Sequence, residues 1–330
     1  MRVKRVVIYF LTMVVGMPLW SLSAARADSS DSPLCLYVAS YHVGYAWSDG
    51  IETALRDALH GKCEIAEFYM DTKRQKTSQH KQAAGMAAYQ MIVDLQPDVV
   101  ITSDDNAAKY LIVPYLVDSA IPVVFSGINW TVEEYGFPAV NVTGIVEVAP
   151  IRPMLLEGLK ANNQQNGRGL SVAYLGAMTL SEIKNFERVY NTANTLGMRA
   201  DSILTDDFAT WKHGFTLAQE YDMVIMGSSS GISGFDSSEA KKWVNTHTRK
   251  LSTTNHEWMM PYSAIGYTKI AEEQGEWAAA SSLAILNGIR AEDIPLVTNR
   301  RWDTWINTRL LGHTNVSLDD TIVKQAKKAQ

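Results

Sequence analysis

The stretch DVVITSDDN at residues 98–106 is an apolar, strand-like run that ends abruptly in small and polar side chains. The same change occurs at three other places, 36–40, 123–130 and 223–231. Segments with helical apolar spacing, such as Ser78–Leu95, separate these runs. Strands alternating with helices predict a parallel sheet covered on both faces, so the four loops should lie at its carboxyl edge, where such folds bind ligands.

The predicted elements form two similar α/β series. The expected strands are 36–39, 63–70, 98–102, 123–126, 170–175, 202–204, 223–226 and 260–264. The expected helices are 51–59, 78–95, 107–117, 151–160, 181–196, 208–220, 237–250 and 271–286, with a polar turn at 162–169. Because single hydrophobic cores stop growing at roughly 250–300 residues, the 303 residues that follow the first 27 are expected to form two lobes.

The first 27 residues are typical of a signal peptide. A basic start is followed by an apolar run over Val6–Trp20, and Ala25-Arg26-Ala27 is a small-x-small cleavage site. The alternative is a membrane anchor, for which the run is short. We expect an exported, periplasmic protein that is cleaved near Ala27.

Charge and motif spacing exclude several classes of function. Removal of the first 27 residues takes away four basic side chains and no acidic one, which moves the formal charge from −5 to −9. Nucleic acid is therefore not an expected partner. The histidines show no metal-ligand spacing, and neither a P-loop nor a full GxGxxG fingerprint is present, so no metal and no cofactor are expected.

The two cysteines, Cys35 and Cys63, each open a predicted strand. In a βαβ unit these strands start side by side at one edge of the sheet, which allows a disulfide after export. The alternative is two buried thiols. Neither cysteine is near the expected ligand edge.

Several stretches in order resemble the substrate-binding proteins of the tryptophan/tyrosine-type ABC transporter group. They are DVVITSDDN (98–106), IPVVFSGIN (121–129), VTGI (142–145), EQG (273–275), ILNG (285–288) and DIP (293–295). SYH (40–42) with Trp47 and Ser48 is similar to the branch of this group that serves as periplasmic sensor domains.

The resemblance implies a type I periplasmic binding protein fold, in which two Rossmann-like lobes with parallel sheets are joined by a three-crossover hinge. The crossovers are then expected near Ile145, Gly266 and Asp293. The first lobe would comprise 34–145 plus 266–292, and the second 146–265 plus 293–330. The helix at 271–286 would return to the first lobe.

The function implied by the resemblance is capture of a small ligand, an amino acid or a related amine or carboxylate, between the lobes. The protein would then present this ligand to an ABC permease. The alternative is a ligand-sensing subunit that acts through a membrane sensor kinase. In either case we expect a monomer that is not an enzyme.

Loop residues at the carboxyl edge are the candidate ligand contacts. The carboxylates of Asp104 and Asp105 suit a ligand ammonium, although capping of the next helix would also explain them. Hydroxyls and N–H groups at 228–231 suit a carboxylate or phosphate, although a plain turn is equally open. The full candidate set is Ser40, Tyr41, His42, Trp47, Ser103, Asp104, Asp105, Asn106, Ser126, Gly127, Asn129, Trp130, Met178, Asp206, Ser228, Ser229, Ser230 and Tyr267.

Aromatic side chains follow several of the predicted strands. Trp47, Trp130 and Tyr41 are expected to face the cleft, where they would enclose a flat group or hold a cation over a ring. Trp211 has a comparable position, but coverage of a helix end is the favoured interpretation there.

A remote alternative is a serine hydrolase. GSSSG at 227–231 matches the G-x-S-x-G nucleophile elbow, with Ser229 as nucleophile and Asp236 and His256 or His313 as partners. An elbow requires a helix that begins at once, whereas more loop is expected up to Asp236, and Asp236 is too close in sequence to come from a later strand.

Overall fold

A computed structural model describes residues 32–162 and 169–329 of the chain. The predicted signal peptide (1–27) and most of the predicted turn at 162–169 lie outside these described residues. Among the helices within them, none is long and apolar enough to span a membrane.

The described strands form two sheets. They are β1 (Leu34–Ala39), β2 (Glu64–Tyr69), β3 (Val99–Ser103), β4 (Val123–Asn129), β5 (Val142–Glu147), β6 (Ser171–Ala177), β7 (Arg199–Thr205), β8 (Met223–Met226), β9 (Leu251–Thr254), β10 (Ile265–Lys269), β11 (Val297–Thr298), β12 (Trp302–Ile306) and β13 (Lys327–Lys328). The first sheet has the order β11-β5-β4-β3-β1-β2, and the second has the order β13-β12-β10-β9-β8-β6-β7. Only β12 runs antiparallel to its neighbour β10 within these sheets. We call each sheet with its helices a lobe.

Helices connect the strands, as the alternating pattern predicts. The α-helices are α1 (Ala46–Leu59), α2 (Ser78–Leu95), α3 (Asp104–Ala107), α4 (Ile151–Ala161), α5 (Leu180–Thr195), α6 (Phe208–Ala218), α7 (Ser237–His247), α8 (Ala271–Leu286), α9 (Thr308–Leu311) and α10 (Asp320–Gln325). Short 3₁₀ helices occupy 133–135, 257–262 and 291–293, and a π-helix occupies Ala108–Leu116. The predicted α/β fold class is confirmed.

Both sheets repeat one strand order. The order β2-β1-β3-β4-β5 in the first lobe corresponds to β7-β6-β8-β9-β10 in the second. The order reverses between β1 and β3, and again between β6 and β8. These are the topological switch points, where loops diverge and leave a crevice at the carboxyl ends of the strands. The two switch points are therefore the places in the fold at which to look for a ligand site.

The chain passes between the sheets after β5, after β10 and between β11 and β12. Helix α8 packs on α1, in the first lobe. Because β10 continues in the second sheet to Lys269 and β11 pairs with β5 in the first, the second and third passages lie later than the positions expected near Gly266 and Asp293. The first passage follows Glu147, two residues beyond Ile145.

Polar side chains tie these three passages together. The side-chain oxygen of Asn299 accepts a hydrogen bond from the Val148 N–H at 2.7 Å, and its Nδ2 donates to the Val148 carbonyl at 3.2 Å. The Glu273 carboxylate accepts from the N–H groups of Arg300 and Arg301 at 2.8 and 2.9 Å. Hydrogen bonds therefore link the three passages to one another, while each lobe has its own hydrophobic core.

Cys35 and Cys63 form a disulfide with a Cα–Cα distance of 6.0 Å, which confirms the predicted bridge. Cys35 lies in β1 and Cys63 immediately precedes β2, the edge strand that pairs with it. The bridge therefore joins the starts of these two strands, at the edge of the sheet opposite the switch point.

Three local features differ from the predictions. The expected strand at 260–264 lies mostly in the 3₁₀ helix Glu257–Tyr262, which contains Pro261, a residue that cannot donate to a central ladder. The buried strand β9, with sequence LSTT, was not predicted because it is short and rich in hydroxyls. The helix expected at 107–117 starts at Asp104, so the supposed ligand loop is its first turn.

Candidate ligand-binding site

Asp104 lies at the switch point of the first lobe, directly after β3 and beside the end of β1. Its side chain is only 2% exposed, and its backbone has φ +69°. Aspartate and asparagine are the non-glycine residues that tolerate this left-handed conformation best. The backbone therefore positions one carboxylate at the point where open α/β sheets bind their ligands.

The two oxygens of the Asp104 carboxylate differ. Oδ1 accepts a hydrogen bond from Trp47 Nε1 at 3.1 Å, whereas Oδ2 is buried and has no hydrogen-bond partner among the described residues. Burial raises the pKa of Asp104 to about 7, and the neighbouring Asp105 contributes to the increase. A buried charge without a partner is costly, so this oxygen is suited to a cation or donor from a ligand.

Gly127 lies beside Asp104 and also contacts Gln274, which has a second unsatisfied polar group. It has φ +67°, and a Cβ at this position would lie 3.1 Å from Asp104 Oδ1. The Gly127 N–H donates to Gln274 Oε1 at 2.9 Å, while the buried Gln274 Nε2 has no partner among the described residues. An unused acceptor and an unused donor thus belong to two residues that both contact Gly127.

Lys269, the last residue of β10, adds a positive charge from the hinge. Its ammonium pairs with Glu147 and lies 5.4 Å from the centroid of the Trp47 ring. Burial lowers the pKa of Lys269 to about 8, and the nearby Asp104 opposes this decrease. The site therefore joins groups of both charge signs from the first lobe and from two hinge passages.

The residues that follow Asp104 are engaged within the first lobe. Asp105 accepts hydrogen bonds from Asn129 Nδ2 at 2.6 Å and from the Tyr135 hydroxyl at 2.9 Å. Asn106 Nδ2 donates to Thr72 Oγ1 at 3.0 Å. These contacts order the loop around Asp104.

Three predicted ligand serines are fully buried and bonded within the chain. Ser40 Oγ donates to the Ser103 carbonyl and accepts from the Ala107 N–H at 2.8 Å. Ser103 Oγ lies 3.0 Å from the Tyr37 hydroxyl, and Ser126 Oγ donates to a backbone carbonyl of β3 at 3.1 Å. In this conformation the three hydroxyls form hydrogen bonds within the chain at the switch point.

Tyr41 and His42 lie at the rim of the same edge. The Lys73 ammonium is 4.5 Å from the centroid of the Tyr41 ring, and Tyr41 packs edge-on against Tyr45. His42 Nδ1 is 3.6 Å from Asp71 Oδ1. The rim is therefore aromatic, and it also carries charged partners.

Trp130 reaches from the first lobe to the second. Its backbone has φ +66°, a left-handed value that is rare for a bulky residue. The ring packs against the second-lobe core, leaving a gap of about 10 Å³, and the Arg188 guanidinium lies 4.3 Å from the ring centroid. Trp130 thus adopts a left-handed backbone conformation at the position where its ring contacts the second lobe.

The corresponding switch point of the second lobe is filled by the chain itself. The Glu182 carboxylate, 3% exposed, accepts hydrogen bonds from the Ser228 N–H at 2.8 Å, the Tyr174 hydroxyl at 2.7 Å and Asn185 Nδ2 at 3.1 Å. A Cβ on Gly227 would lie 2.3 Å from this carboxylate. The Ser228 N–H that was considered for a ligand anion therefore already holds an internal carboxylate.

Replacing Glu182 by alanine should destabilise the protein by about 3 kcal/mol, because the buried Ser228 N–H and Tyr174 hydroxyl would lose their acceptor. Urea unfolding measures this change. Glu187→Ala, an exposed position on the same helix, is the matched control and should change stability by less than about 0.5 kcal/mol. Equal unfolding midpoints for the two variants would contradict the role assigned to Glu182.

Other predicted contacts on the second lobe are dispersed. Met178 is 48% exposed, Asp206 is exposed, and Ser229 and Ser230 continue the loop after Ser228. Tyr267 lines a separate cavity beside α4. The structure therefore brings Trp47, Asp104 and Gly127 together, but it does not place these second-lobe residues with them.

The hydrolase alternative lacks its expected geometry. After GSSSG the next helix, α7, begins only at Ser237. The Asp236 side chain caps that helix by accepting from the N–H groups of Ser238 and Glu239 at 2.8 and 2.9 Å. Asp236 is thus engaged locally, and Ser229 does not lie on a sharp turn from strand to helix.

Four charged or amide residues of these sites were missed from the sequence: Glu147, Glu182, Lys269 and Gln274. Lys269 and Gln274 flank the start of α8, and Gln274 lies within the EQG stretch at 273–275. The sequence predicts only that the helix at 271–286 returns to the first lobe, which gives no reason to assign its buried Gln274 to a binding site. Among the described residues, no cluster of three or more metal-ligating side chains is present.

Sequence comparison finds no protein-family model that matches the chain. No curated protein sequence matches it either. Solved structures do match. A Streptococcus pneumonia ABC domain in complex with L-Trp is 16% identical, with 89% of this chain and 99% of that chain covered and a TM-score of 0.55.

Two further matches have similar coverage. The ligand-free, open form of a Clostridium difficile substrate binding protein with adhesive properties is 12% identical, covers 90% of this chain and 99% of that chain, and has a TM-score of 0.68. A Geobacillus stearothermophilus arabinose binding protein is 11% identical, with 89% and 100% coverage and a TM-score of 0.55. Together with the repeated strand order and the three passages between the sheets, these matches show that the chain has the type I periplasmic binding protein fold.

Proposed function

We propose that this protein binds a small solute that carries a protonated amine, an amino acid or a close relative, at the carboxyl edge of its first lobe. The observation that carries this proposal is the buried Asp104 Oδ2, which has no partner among the described residues. A ligand ammonium would supply the missing charge-assisted hydrogen bond. The unused Gln274 Nε2 would donate to an acceptor on the same ligand, such as a carboxylate.

Trp47 has two roles in this proposal. Its indole N–H holds Asp104 Oδ1, so the other oxygen is left for the ligand. Its ring, which is half-buried, would cover the apolar part of the ligand beside the Lys269 ammonium. The Glu147–Lys269 ion pair joins two hinge passages, so a ligand that contacts this pair would also contact the hinge.

The fold supports a binding role between two lobes. Hinge closure is a common way for such proteins to enclose a ligand, and Trp130 already contacts the second lobe at Arg188. One similar structure is described as complexed with L-Trp and another as a substrate binding protein. We propose that the protein is exported to the periplasm, consistent with its disulfide, and delivers its ligand to an ABC permease.

Thermal-shift measurements with matched ligands test this function. For a binding protein, an amino acid that fits should raise the melting temperature, since it binds only the native state. Its N-acetyl derivative, which lacks the ammonium, should give no shift at the same concentration. The panel should include the twenty amino acids, small amines and sugars.

The outcome of this screen separates the proposal from other solute classes. A sugar that raises the melting temperature when no amine does would contradict the amine assignment. Equal shifts for an amino acid and its N-acetyl derivative would contradict the role of Asp104. Trp47→Phe is a useful companion variant, because it keeps a ring but removes the donor to Asp104.

A further inference from the structure

The second lobe contains a cavity of about 500 Å³ that is separate from the Asp104 site. It lies between α4, β10, β12 and α10. Its walls include Leu156, Glu157, Lys160, Tyr267, Trp302 and Ile322. The volume is within the range of pockets that hold small organic molecules, roughly 300–1,000 Å³.

Two polar side chains in this cavity are almost completely buried. Glu157 is 6% exposed and Tyr267 is 5% exposed. Glu157 Oε2 is 3.4 Å from the ammonium of Lys160, whose own side chain is largely in solvent, and Oε1 makes no hydrogen bond to a described residue. The Tyr267 hydroxyl likewise has no hydrogen bond within the described part of the chain.

The walls are mainly apolar and aromatic. Burial raises the pKa of Tyr267, and the negative charge of Glu157 raises it further, so the phenol stays protonated at neutral pH. The Trp302 ring, 36% exposed, stands edge-on to the Tyr267 ring at a centroid distance of 6.5 Å. The cavity therefore combines two aromatic rings with a buried carboxylate, of which the exposed Lys160 contacts only one oxygen. Aromatic rings beside a carboxylate favour cations.

We propose that this cavity is a second binding site, for a small organic cation in which a protonated amine is attached to an apolar or aromatic body. The amine would bind Glu157, and the body would contact Tyr267 and Trp302. Neither the cavity nor its ligand is part of the Asp104 site, so this proposal does not depend on the function proposed above.

The cavity lies beside the hinge strands, and its lining does not include the residues of the Asp104 site. Tyr267 lies opposite Thr304 in the β10–β12 pair, and Trp302 lies opposite Lys269. A ligand here would contact the two strands that adjoin the second and third hinge passages. It would bind on the face of the second sheet that α4 covers.

Isothermal titration with phenethylamine and with 2-phenylethanol tests the charge requirement. The two probes have the same ring and chain length but only the first is a cation. The protein should carry Asp104→Asn, which removes the carboxylate of the other site and leaves the second-lobe cavity intact. We expect saturable binding of phenethylamine at millimolar or lower concentration, and at least about tenfold weaker binding of the alcohol.

A second substitution locates the bound amine. Glu157→Gln should weaken phenethylamine binding at least about tenfold, since it removes the charge with little change of volume. Glu220→Gln, an exposed position elsewhere on the second lobe, should leave binding unchanged. Leu156→Trp should also abolish binding, because the larger side chain fills the cavity.

Three outcomes would overturn the second site. They are absence of saturable binding, equal affinity for the alcohol and the amine, and unchanged affinity in the Glu157→Gln variant when circular dichroism shows it folded. Failure here would not affect the Asp104 site, which is tested in the protein with Asp104 intact.

Discussion

Replacing Asp104 by asparagine should stabilise the ligand-free protein above pH 7 and at the same time weaken the binding of an amine ligand. The pKa of Asp104 is raised from 3.8 to about 7 by burial and by the neighbouring Asp105. Each pKa unit corresponds to about 1.4 kcal/mol, so ionisation of this carboxyl costs the folded state about 4 kcal/mol. Asparagine carries no charge and keeps an oxygen that can accept from Trp47.

The pH dependence of this effect has a defined sign. Between pH 3.8 and about 7 the folded protein binds more protons at this position than the unfolded chain does. Stability therefore falls as pH rises through this window, and the full cost is present above pH 7. Below pH 4 both states are protonated, so the advantage of the asparagine variant should disappear.

Urea unfolding at about pH 8 and again at about pH 4 measures the difference. Asparagine also tolerates the left-handed backbone at this position, so the substitution should add no backbone strain. Asp206→Asn is the control, because Asp206 is exposed at the corresponding edge of the second lobe. If Asp104→Asn were no more stable than the parent protein at the higher pH, Asp104 would not be an unpaired buried carboxylate.

The same substitution should weaken binding of an amine ligand by about ten- to a hundredfold, as expected for the loss of a charge-assisted hydrogen bond of about 1.5–3 kcal/mol. A variant that gains stability while it loses binding indicates a functional site, because a residue with only a structural role would not show both. In the parent protein, affinity should fall as pH decreases below 7, since the ligand then competes with a proton.

The sequence was a good guide to the architecture. Apolar runs such as 99–103 and 223–226 are fully buried strands, and their regular alternation with helices predicted parallel pairing in two similar α/β series. The arrangement as two lobes joined by a hinge was implied by the family resemblance. The helix Ser78–Leu95 was predicted with the bounds that it has in the structure. It begins after a Thr77 cap and ends at Leu95, where Gln96 is the C-cap and Pro97 follows.

The site was less predictable because its polarity depends on contacts between distant residues. From the sequence, Ser228 and Asp104 have similar positions after a buried strand. In the structure, Ser228 donates to Glu182, from a different element, whereas one oxygen of Asp104 has no partner among the described residues. Which of two similar loops retains an unused polar group is decided by long-range packing, and a single sequence does not record it.

Removal of the disulfide should destabilise the protein by about 3.5 kcal/mol, in the Cys35→Ala/Cys63→Ala double variant. The bridge closes a segment of 28 residues, and the loss of chain entropy in the unfolded state accounts for an effect of this size. β2 is the edge strand of the first sheet and has only β1 as its neighbour there. In the double variant we therefore expect hydrogen exchange to increase more at Glu64–Tyr69 than at the equivalent edge strand of the second lobe, Arg199–Thr205.

Reduction of the parent protein supplies the control for side-chain volume, because it breaks the bond and keeps both sulfurs. Its urea midpoint should move in the same direction and by a similar amount as that of the double variant. Ligand binding at Asp104 should persist below the unfolding transition, since Cys35 and Asp104 lie at opposite edges of the first sheet. Exchange that increased equally in both edge strands would contradict a local role of the bridge, because β7 belongs to the other sheet and the bridge joins only β1 to the start of β2.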